Sequence, residues 1–143
     1  MNDYLTTNFE KVGVFMEACD QHVESMAKFP DDKICKLRNN LIKEEYEEFQ
    51  DAVKKNDLVA VADALSDLLY VVYGTGHAFG INLDSCFAEV HRSNMTKTVD
   101  GKCVKSPEGK ILKGAGYTPP NLADILKTEN TEYDPWNFLR DSP

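Results

Sequence analysis

The sequence predicts an all-α protein: a four-helix bundle with a small C-terminal hairpin or loop extension. Apolar residues recur at steps of three and four along four consecutive segments, which is the period of helices that bury one face. A side chain able to cap a helix stands at the start of each segment, and short polar or proline-containing breaks separate them. Beyond residue 98 turn-forming dipeptides replace the helical period, which predicts the hairpin or loop.

Length and charge narrow the functional classes. A chain of 143 residues is expected to form one domain with a core of its own. Its net charge of −8 argues against a general nucleic-acid surface, which would need a basic stripe. An acidic protein that handles phosphates must also bring in a metal ion.

The cysteines and the N-terminus indicate a cytoplasmic protein. Four cysteines are widely spaced, with no Cys-x-x-Cys pair and no histidine cluster beside them, so we expect reduced thiols rather than a zinc site or a disulfide framework. The N-terminus lacks a basic region followed by an apolar run, and no apolar stretch reaches about 18 residues. We therefore expect neither export nor a membrane span.

The first two helices are defined by caps and by a proline. Thr7 and Glu10 have the spacing of a capping box, which predicts the start of the first helix. Pro30 separates this segment from the second helix, because proline lacks the backbone N–H and restricts the residue before it. Asp32 is expected to cap the second helix, which continues to about Lys55. The predicted core face of the first segment consists of Phe9, Val12, Met16, Cys19, Val23 and Met26.

The third helix is predicted to run from Asp57 to near Gly80 and is apolar nearly all round, which is typical of a helix at the centre of a bundle. Gly74 and Gly76 near its end indicate that a neighbouring helix approaches closely. The fourth helix is expected from residue 82 or 84 and becomes polar toward Lys97.

Turn signals follow the fourth helix. Residues 100–101 and 106–109 flank short runs at 102–105 and 110–113, which predicts a small hairpin or ordered loop. Asn121 is expected to cap a short helix ending at Lys127. We therefore expect one domain over residues 1–127, with the hairpin or loop at 99–120, and an irregular tail over 128–143.

Carboxylates lie on helix faces that should be buried. Leu41, Glu45, Glu48 and Ala52 follow one another at helical steps, and so do Ala60, Asp63, Asp67 and Tyr70. Two helices joined by about four residues usually pack antiparallel, so these carboxylates are predicted to converge. Repulsion and desolvation would then favour a cation between them.

Oxygen ligands favour Mg²⁺, with Mn²⁺ as a substitute, over zinc or copper. Calcium is a weaker candidate because no EF-hand loop is present, and the three histidines lack the Glu-x-x-His placement of a di-iron bundle. Any single one of these carboxylates could instead belong to a solvated helix face.

The carboxylate pattern carries a resemblance to a known superfamily. Glu44-Glu45-x-x-Glu48 and the later pair ending at Asp67 resemble the signature of the all-α nucleoside triphosphate pyrophosphohydrolases, which include MazG and phosphoribosyl-ATP pyrophosphohydrolase. Residues 63–75 and 89–97 are similar to the MazG-like, phosphoribosyl-ATP pyrophosphohydrolase-like branch, and the likeness covers about residues 37–120. The chain departs from the signature at Ala64, where the superfamily has an acid, so that Asp63 would have to substitute.

The resemblance implies hydrolysis of a nucleoside triphosphate between its α and β phosphates, giving the monophosphate and pyrophosphate. By the same resemblance, Glu45, Glu48 and Asp67 would hold magnesium, with Asp63 as a further ligand. Glu44 would bind another magnesium ion or orient the attacking water. The residues expected to contact the nucleotide are Asn94, Lys97, Lys113 and Tyr117, with Lys110 as a further basic residue of the loop.

We expect the protein to act in nucleotide-pool house-cleaning as a homodimer or a dimer of dimers, without nucleic-acid or membrane partners. One alternative function is hydrolysis of phosphoribosyl-ATP in histidine biosynthesis. Another is a non-catalytic helical protein whose acidic patch only binds cations. Pyrophosphate release from a panel of nucleotides, with and without magnesium, would distinguish these functions.

Overall fold

A computed structural model describes residues 7–129, which form four main helices, a two-stranded hairpin and a short fifth helix. This architecture confirms the predicted fold class. The predicted irregular tail lies outside the described residues from position 130 onward, while positions 128 and 129 belong to the fifth helix, two residues beyond its predicted end. The elements are α1 Asn8–Ala18, α2 Asp32–Lys54, α3 Leu58–Ala78, α4 Leu83–Met95, β1 Thr98–Val99, β2 Lys102–Cys103 and α5 Leu122–Glu129.

Side-chain caps fix where the main helices begin. Thr7 and Glu10 form the predicted capping box: the Thr7 hydroxyl accepts from the Glu10 N–H at 3.1 Å, and the Glu10 carboxylate accepts from the Thr7 N–H at 3.0 Å. Asp57 and Asn82 cap α3 and α4. The prediction for α2 was wrong by one residue, because Asp31 is the cap and its carboxylate accepts from the Ile34 N–H at 2.9 Å.

The first helix is shorter than predicted. It ends at Ala18, and Asp20 adopts a left-handed backbone conformation with φ of 54°. The following segment turns back instead of continuing the helix, and the N–H groups of Glu24 and Lys28 donate to the carbonyls of His77 and Phe79. The predicted core positions at Cys19 and Met26 are therefore wrong, since both are exposed.

The core lies where α1 and α2 pack on α3. α1 contributes its buried residues Phe9, Val12 and Met16. His77 of α3 is fully enclosed, stacks on the Phe9 ring at 3.8 Å and has its Nε2 atom 2.8 Å from the Phe9 carbonyl. Burial lowers the pKa of His77, which favours the neutral imidazole. This histidine is thus part of the packing.

α2 and α3 run antiparallel with a close approach at one end, as the glycine positions predicted. A Cβ atom at Gly74 would lie 2.7 Å from the Arg38 Nη1 atom, and one at Gly76 would lie 2.6 Å from Leu83 Cδ1. A side chain at Gly74 would therefore displace the Arg38 guanidinium, and one at Gly76 would displace the first residue of α4.

Much of α3 is uncovered, so the prediction that α3 lies at the centre of a bundle is wrong for the single chain. Leu58 and Val59 are 80% and 81% exposed. By length and composition alone this helix could cross a membrane, since its mean hydropathy is 1.4. Only 11% of its apolar window is buried in the described chain, which agrees with the exposure of its surface. Asp67 stands near its middle and Asp63 one turn earlier, and hydrocarbon would penalise such carboxylates by roughly several kcal/mol.

The extension after α4 is a hairpin with both predicted turns. Thr98 pairs with Cys103 and Val99 with Lys102, across a turn in which Asp100 and Gly101 have φ of 51° and 76°. Two successive positive φ values suit a tight two-residue hairpin turn. The second turn brings residues 105 and 111, one from each predicted short run, into an isolated antiparallel bridge.

Gly80 provides a test of the junction between α3 and the segment after α1. It has φ of 66°, and a Cβ atom there would lie 2.2 Å from the Met26 carbonyl oxygen. We expect Gly80→Ala to lower the free energy of unfolding by roughly 3 kcal/mol or more, because left-handed strain and a backbone clash add together.

The matched control is Gly109→Ala, since Gly109 has φ of 85° but nothing within 4 Å of its Cβ position. In this variant only the left-handed strain should lower the free energy of unfolding, by about 1–2 kcal/mol. Urea unfolding of both variants measures the difference, and equal losses would contradict the packing at Gly80.

Candidate metal and nucleotide site

The site is centred on Glu45, which α2 presents toward α3. Its Oε2 atom is enclosed and is the one buried side-chain nitrogen or oxygen in residues 7–129 without a hydrogen-bond partner. Desolvation raises the pKa of Glu45, and the nearby charges of Glu48, Asp67, Glu44 and Asp63 raise it further, in that order. The other four carboxylates that the sequence selected are therefore close enough to act on Glu45, and we call the five together the acidic set.

The helical faces explain how the acidic set is positioned. Ala52 of α2 and Ala64 of α3 are buried, and Glu45 and Asp67 lie half-buried on the same faces. Asp63 is exposed, because the buried neighbouring position is occupied by Ala64. The expectation that Asp63 lies on a buried helix face is wrong in the single chain.

The carboxylates surround Glu45 loosely. Among the described residues, no three acidic, histidine or cysteine side chains approach one point closely enough to hold a metal ion. Repulsion between like charges favours this separation. The donor set nevertheless fits a hard divalent cation, because its groups are all carboxylates and the enclosed Oε2 atom of Glu45 lacks a partner.

A second group of side chains comes from the end of α4 and the chain after the hairpin. The Lys97 ammonium donates to Asn94 Oδ1 at 2.9 Å, and lies 5.8 Å from the centre of the Tyr117 ring. The Lys113 ammonium lies over the same ring at 4.8 Å. The four residues predicted to contact the nucleotide thus lie together, and we call them the basic set.

Hydrogen bonds hold the basic set against α4. The buried Ser93 hydroxyl donates to the Thr118 carbonyl at 2.8 Å, and the Thr118 N–H donates to the Thr96 hydroxyl at 2.9 Å. These bonds fix the backbone beside Tyr117. The side chain that stacks on the two lysines is therefore positioned by main-chain contacts rather than by the hairpin alone.

Sequence reasoning missed the ion pair that supports this arrangement. Arg92 donates to both carboxylate oxygens of Glu89, at 2.9 and 2.7 Å, and to the Thr118 hydroxyl at 2.8 Å. The Arg92 hydrogen bonds and the Asn121 N–H lower the pKa of Glu89 to about 2. The spacing of three residues between Glu89 and Arg92 was the available signal.

The acidic and basic sets remain separate within one chain. No hydrogen bond or ion pair in the described part of the chain joins a member of one set to a member of the other. Phosphates would be contacted by both sets only if the ligand bridged them or if a second chain contributed one of them.

Comparison with known proteins supports the helical part of the site. The sequence model for phosphoribosyl-ATP pyrophosphohydrolase matches residues 12–94, which is more than half of the chain. An uncharacterized protein of Acanthamoeba polyphaga mimivirus is 41% identical over 87 residues, covering 58% of this chain and 35% of that protein. The chain thus spans about a third of the length of this relative. The family match includes all of the acidic set and Asn94, but not the three other members of the basic set.

The carboxylates crowded around Glu45 predict how neutralising the Glu45 side chain changes the stability of the protein. Both folded and unfolded protein carry an ionised Glu45 well above its raised pKa, so the folded state bears the full repulsion there. We expect Glu45→Gln to stabilise the metal-free protein at neutral pH by roughly 1 kcal/mol, or about 3 °C in Tm.

The stability that Glu45→Gln gains over the wild type should shrink as the pH falls through the raised pKa of Glu45 toward 4.5. The reason is that folded wild-type protein takes up a proton on Glu45 before the unfolded protein does. Thermal unfolding of the variant and the wild type in chelator, at several pH values, measures this difference in stability. Glu47→Gln is the control, since Glu47 lies exposed in a 3.8 Å pair with Lys43 and should change stability by less than ~0.5 kcal/mol. A loss of stability in Glu45→Gln at neutral pH would contradict the crowding.

Proposed function

Because this chain belongs to the phosphoribosyl-ATP pyrophosphohydrolase family, within the MazG-like all-α superfamily, we propose that it is a magnesium-dependent nucleoside triphosphate pyrophosphohydrolase. Family membership confirms the resemblance found in the sequence, and it indicates a pyrophosphohydrolase-type hydrolase. The proposal adds the reaction: cleavage between the α and β phosphates, which releases the monophosphate and pyrophosphate.

The observation that carries the proposal is the state of Glu45. A carboxylate oxygen that is enclosed and unpaired, with four further carboxylates around it, is costly without a cation. A triphosphate brings more negative charge, so a divalent ion is required to bind it beside this set. The acidic set is therefore suited to hold magnesium together with the phosphates.

We assign the metal-holding role to Glu45, Glu48 and Asp67, with Mn²⁺ as a possible substitute ion. When bound, the ion neutralises phosphate charge and makes a coordinated water more acidic. Glu44 is exposed beside Glu45, and its carboxylate can accept a proton from the attacking water and orient it, or take a further ion. Asp63 is assigned a weaker, outer role because it is exposed and affects Glu45 least.

The basic set supplies contacts to the phosphates and sugar. Two ammonium groups stack on one aromatic ring, which keeps them near each other despite their repulsion. A phosphate group would bind both cations and relieve that repulsion. Asn94, already bonded to Lys97, is placed to bind the sugar or a phosphate oxygen.

A second candidate substrate is phosphoribosyl-ATP, because the matching family model carries that name. Its hydrolysis would use the same carboxylates and the same metal. The panel of substrates therefore has to include phosphoribosyl-ATP beside the common nucleoside triphosphates. A protein that releases pyrophosphate from none of them, yet binds magnesium, would be the non-catalytic cation-binding protein considered above.

We further propose that the active form is a homodimer or a dimer of dimers. The exposed apolar surface of α3 includes Leu58, Val59, Leu65 and Leu69, and Phe87 of α4 is 73% exposed. Such patches mark association surfaces. Assembly would cover them and could place the basic set of one chain opposite the acidic set of another.

Removal of single carboxylates tests the catalytic assignment. We expect Glu48→Gln and Asp67→Asn each to lower magnesium-dependent pyrophosphate release by roughly 100-fold or more, because a lost ligand removes several kcal/mol of charge stabilisation. Glu47→Gln, which changes the same kind of group on the outer face of α2, should retain activity. Near-normal turnover by Glu48→Gln or Asp67→Asn would remove that residue from the metal site.

Dilution tests the assembly. Since obligate interfaces commonly bury more than roughly 2,000 Å², dissociation should be coupled to unfolding and loss of activity. Sedimentation combined with activity assays over nanomolar to micromolar protein measures this coupling. A stable, fully active monomer would contradict the proposed assembly.

A further inference from the structure

An open apolar groove of about 470 Å³ lies between α3, α4 and the start of α5. Its lining is almost wholly apolar and includes Val72, Leu83 and Val90. Two further lining side chains, Leu69 and Phe87, are 53% and 73% exposed. Apolar side chains that share one concave surface and remain exposed to water mark a binding site.

The chain itself leads from the edge of this groove into residues 130–143. Leu122 is the first residue of α5 and lines the groove. α5 packs on α4 and ends at Glu129, about 10 Å along the helix axis from Leu122. Residues 130–143 lie outside the described part of the chain, and they are attached at this point. One short helix therefore separates them from the groove.

The composition of residues 130–143 complements the groove. Their large apolar side chains are those of Tyr133, Trp136, Phe138 and Leu139. Each aromatic side chain removes about 150–250 Å² of surface from water when it is buried. Among the described residues that line the groove Asp84 alone is charged, and Arg140 is the one cation in the sequence of residues 130–143. The groove and this segment therefore match in both apolar character and charge.

The length of the chain permits this contact. Trp136 is seven residues beyond Glu129, and an extended chain of that length spans about 23 Å. The stretch of α4 from Asp84 to Val90, which borders the groove, is about 9 Å long. Even when the length of α5 is added to this stretch, the whole groove lies within reach of Trp136.

We propose that residues 133–140 bind in the groove between α3 and α4 of their own chain, with their apolar side chains on its walls and Arg140 beside Asp84. A segment attached this near has an effective concentration in the roughly millimolar range, which a second copy of the chain at micromolar concentration does not reach. The inference is independent of the proposed reaction. It leaves the exposed start of α3, at Leu58 and Val59, for the proposed association.

Trp136 is the single tryptophan of the chain, so its fluorescence reports this contact directly. In the full chain its emission should lie at shorter wavelength than that of a free tryptophan amide, and acrylamide should quench it less, because the groove shields the ring from water. Phe87→Ser removes an exposed wall of the groove and should shift the emission toward that of the free amide, with helical content retained. The control is Leu58→Ser, which removes a similarly exposed side chain at the start of α3 and should leave the emission unchanged.

A double-mutant cycle tests the charged contact. Asp84→Asn and Arg140→Gln should each increase the quenching of Trp136 by acrylamide, and the combined variant should show little further increase, since both changes break the same ion pair. Fully additive effects, or no effect of either change, would overturn the contact between Arg140 and Asp84.

Mixed assemblies distinguish the groove of the same chain from that of a second copy. Phe87→Ser chains are co-expressed with an excess of Trp136→Phe chains, which keep an intact groove and contain no tryptophan. Emission that stays at the wavelength of the Phe87→Ser variant supports binding within one chain, whereas recovery of the wild-type emission overturns it in favour of a second copy. Wild-type emission equal to that of the free amide, or emission that Phe87→Ser leaves unchanged, overturns binding in this groove.

Discussion

The packing of α2 against α3 is the constraint on which the rest of the molecule depends. The antiparallel register sets Arg38 opposite Gly74 at one level and brings Glu45 near Asp67 two turns further along. The level of Glu45 holds like charges in a partly dry interface, which is unfavourable unless a cation compensates them. A divalent cation bound there, as proposed above, would compensate the charge at Glu45.

The same two helices leave much of their apolar surface uncovered. α1 covers one side of α3, but Leu58 and Val59 at its start remain exposed, as does Phe87 on α4. The proposed homodimer would address both the exposed apolar surface and the separation of the acidic and basic sets. Stability and activity would then depend on the same association.

The local elements could be predicted because they depend on near neighbours in sequence. The capping box at Thr7, the caps at Asp57 and Asn82 and the turn at Gly101 all follow from short-range hydrogen bonding and backbone preferences. Prediction was wrong where distant contacts decided the outcome. α1 ends at Ala18 because the next segment bonds to the end of α3, which no local pattern indicates.

By itself, the sequence determined the helical class, the acidic set and the identity of the residues that gather around Tyr117, because residue type and helical spacing fix charge and face. Only the tertiary structure decided that Asp63 is exposed while Ala64 is buried, since a difference of one residue rotates a side chain by about 100° and the neighbouring helix selects between them. It also revealed Arg38 as a buried cation beside a cavity. That property depends on packing from three helices and cannot be seen in a linear pattern.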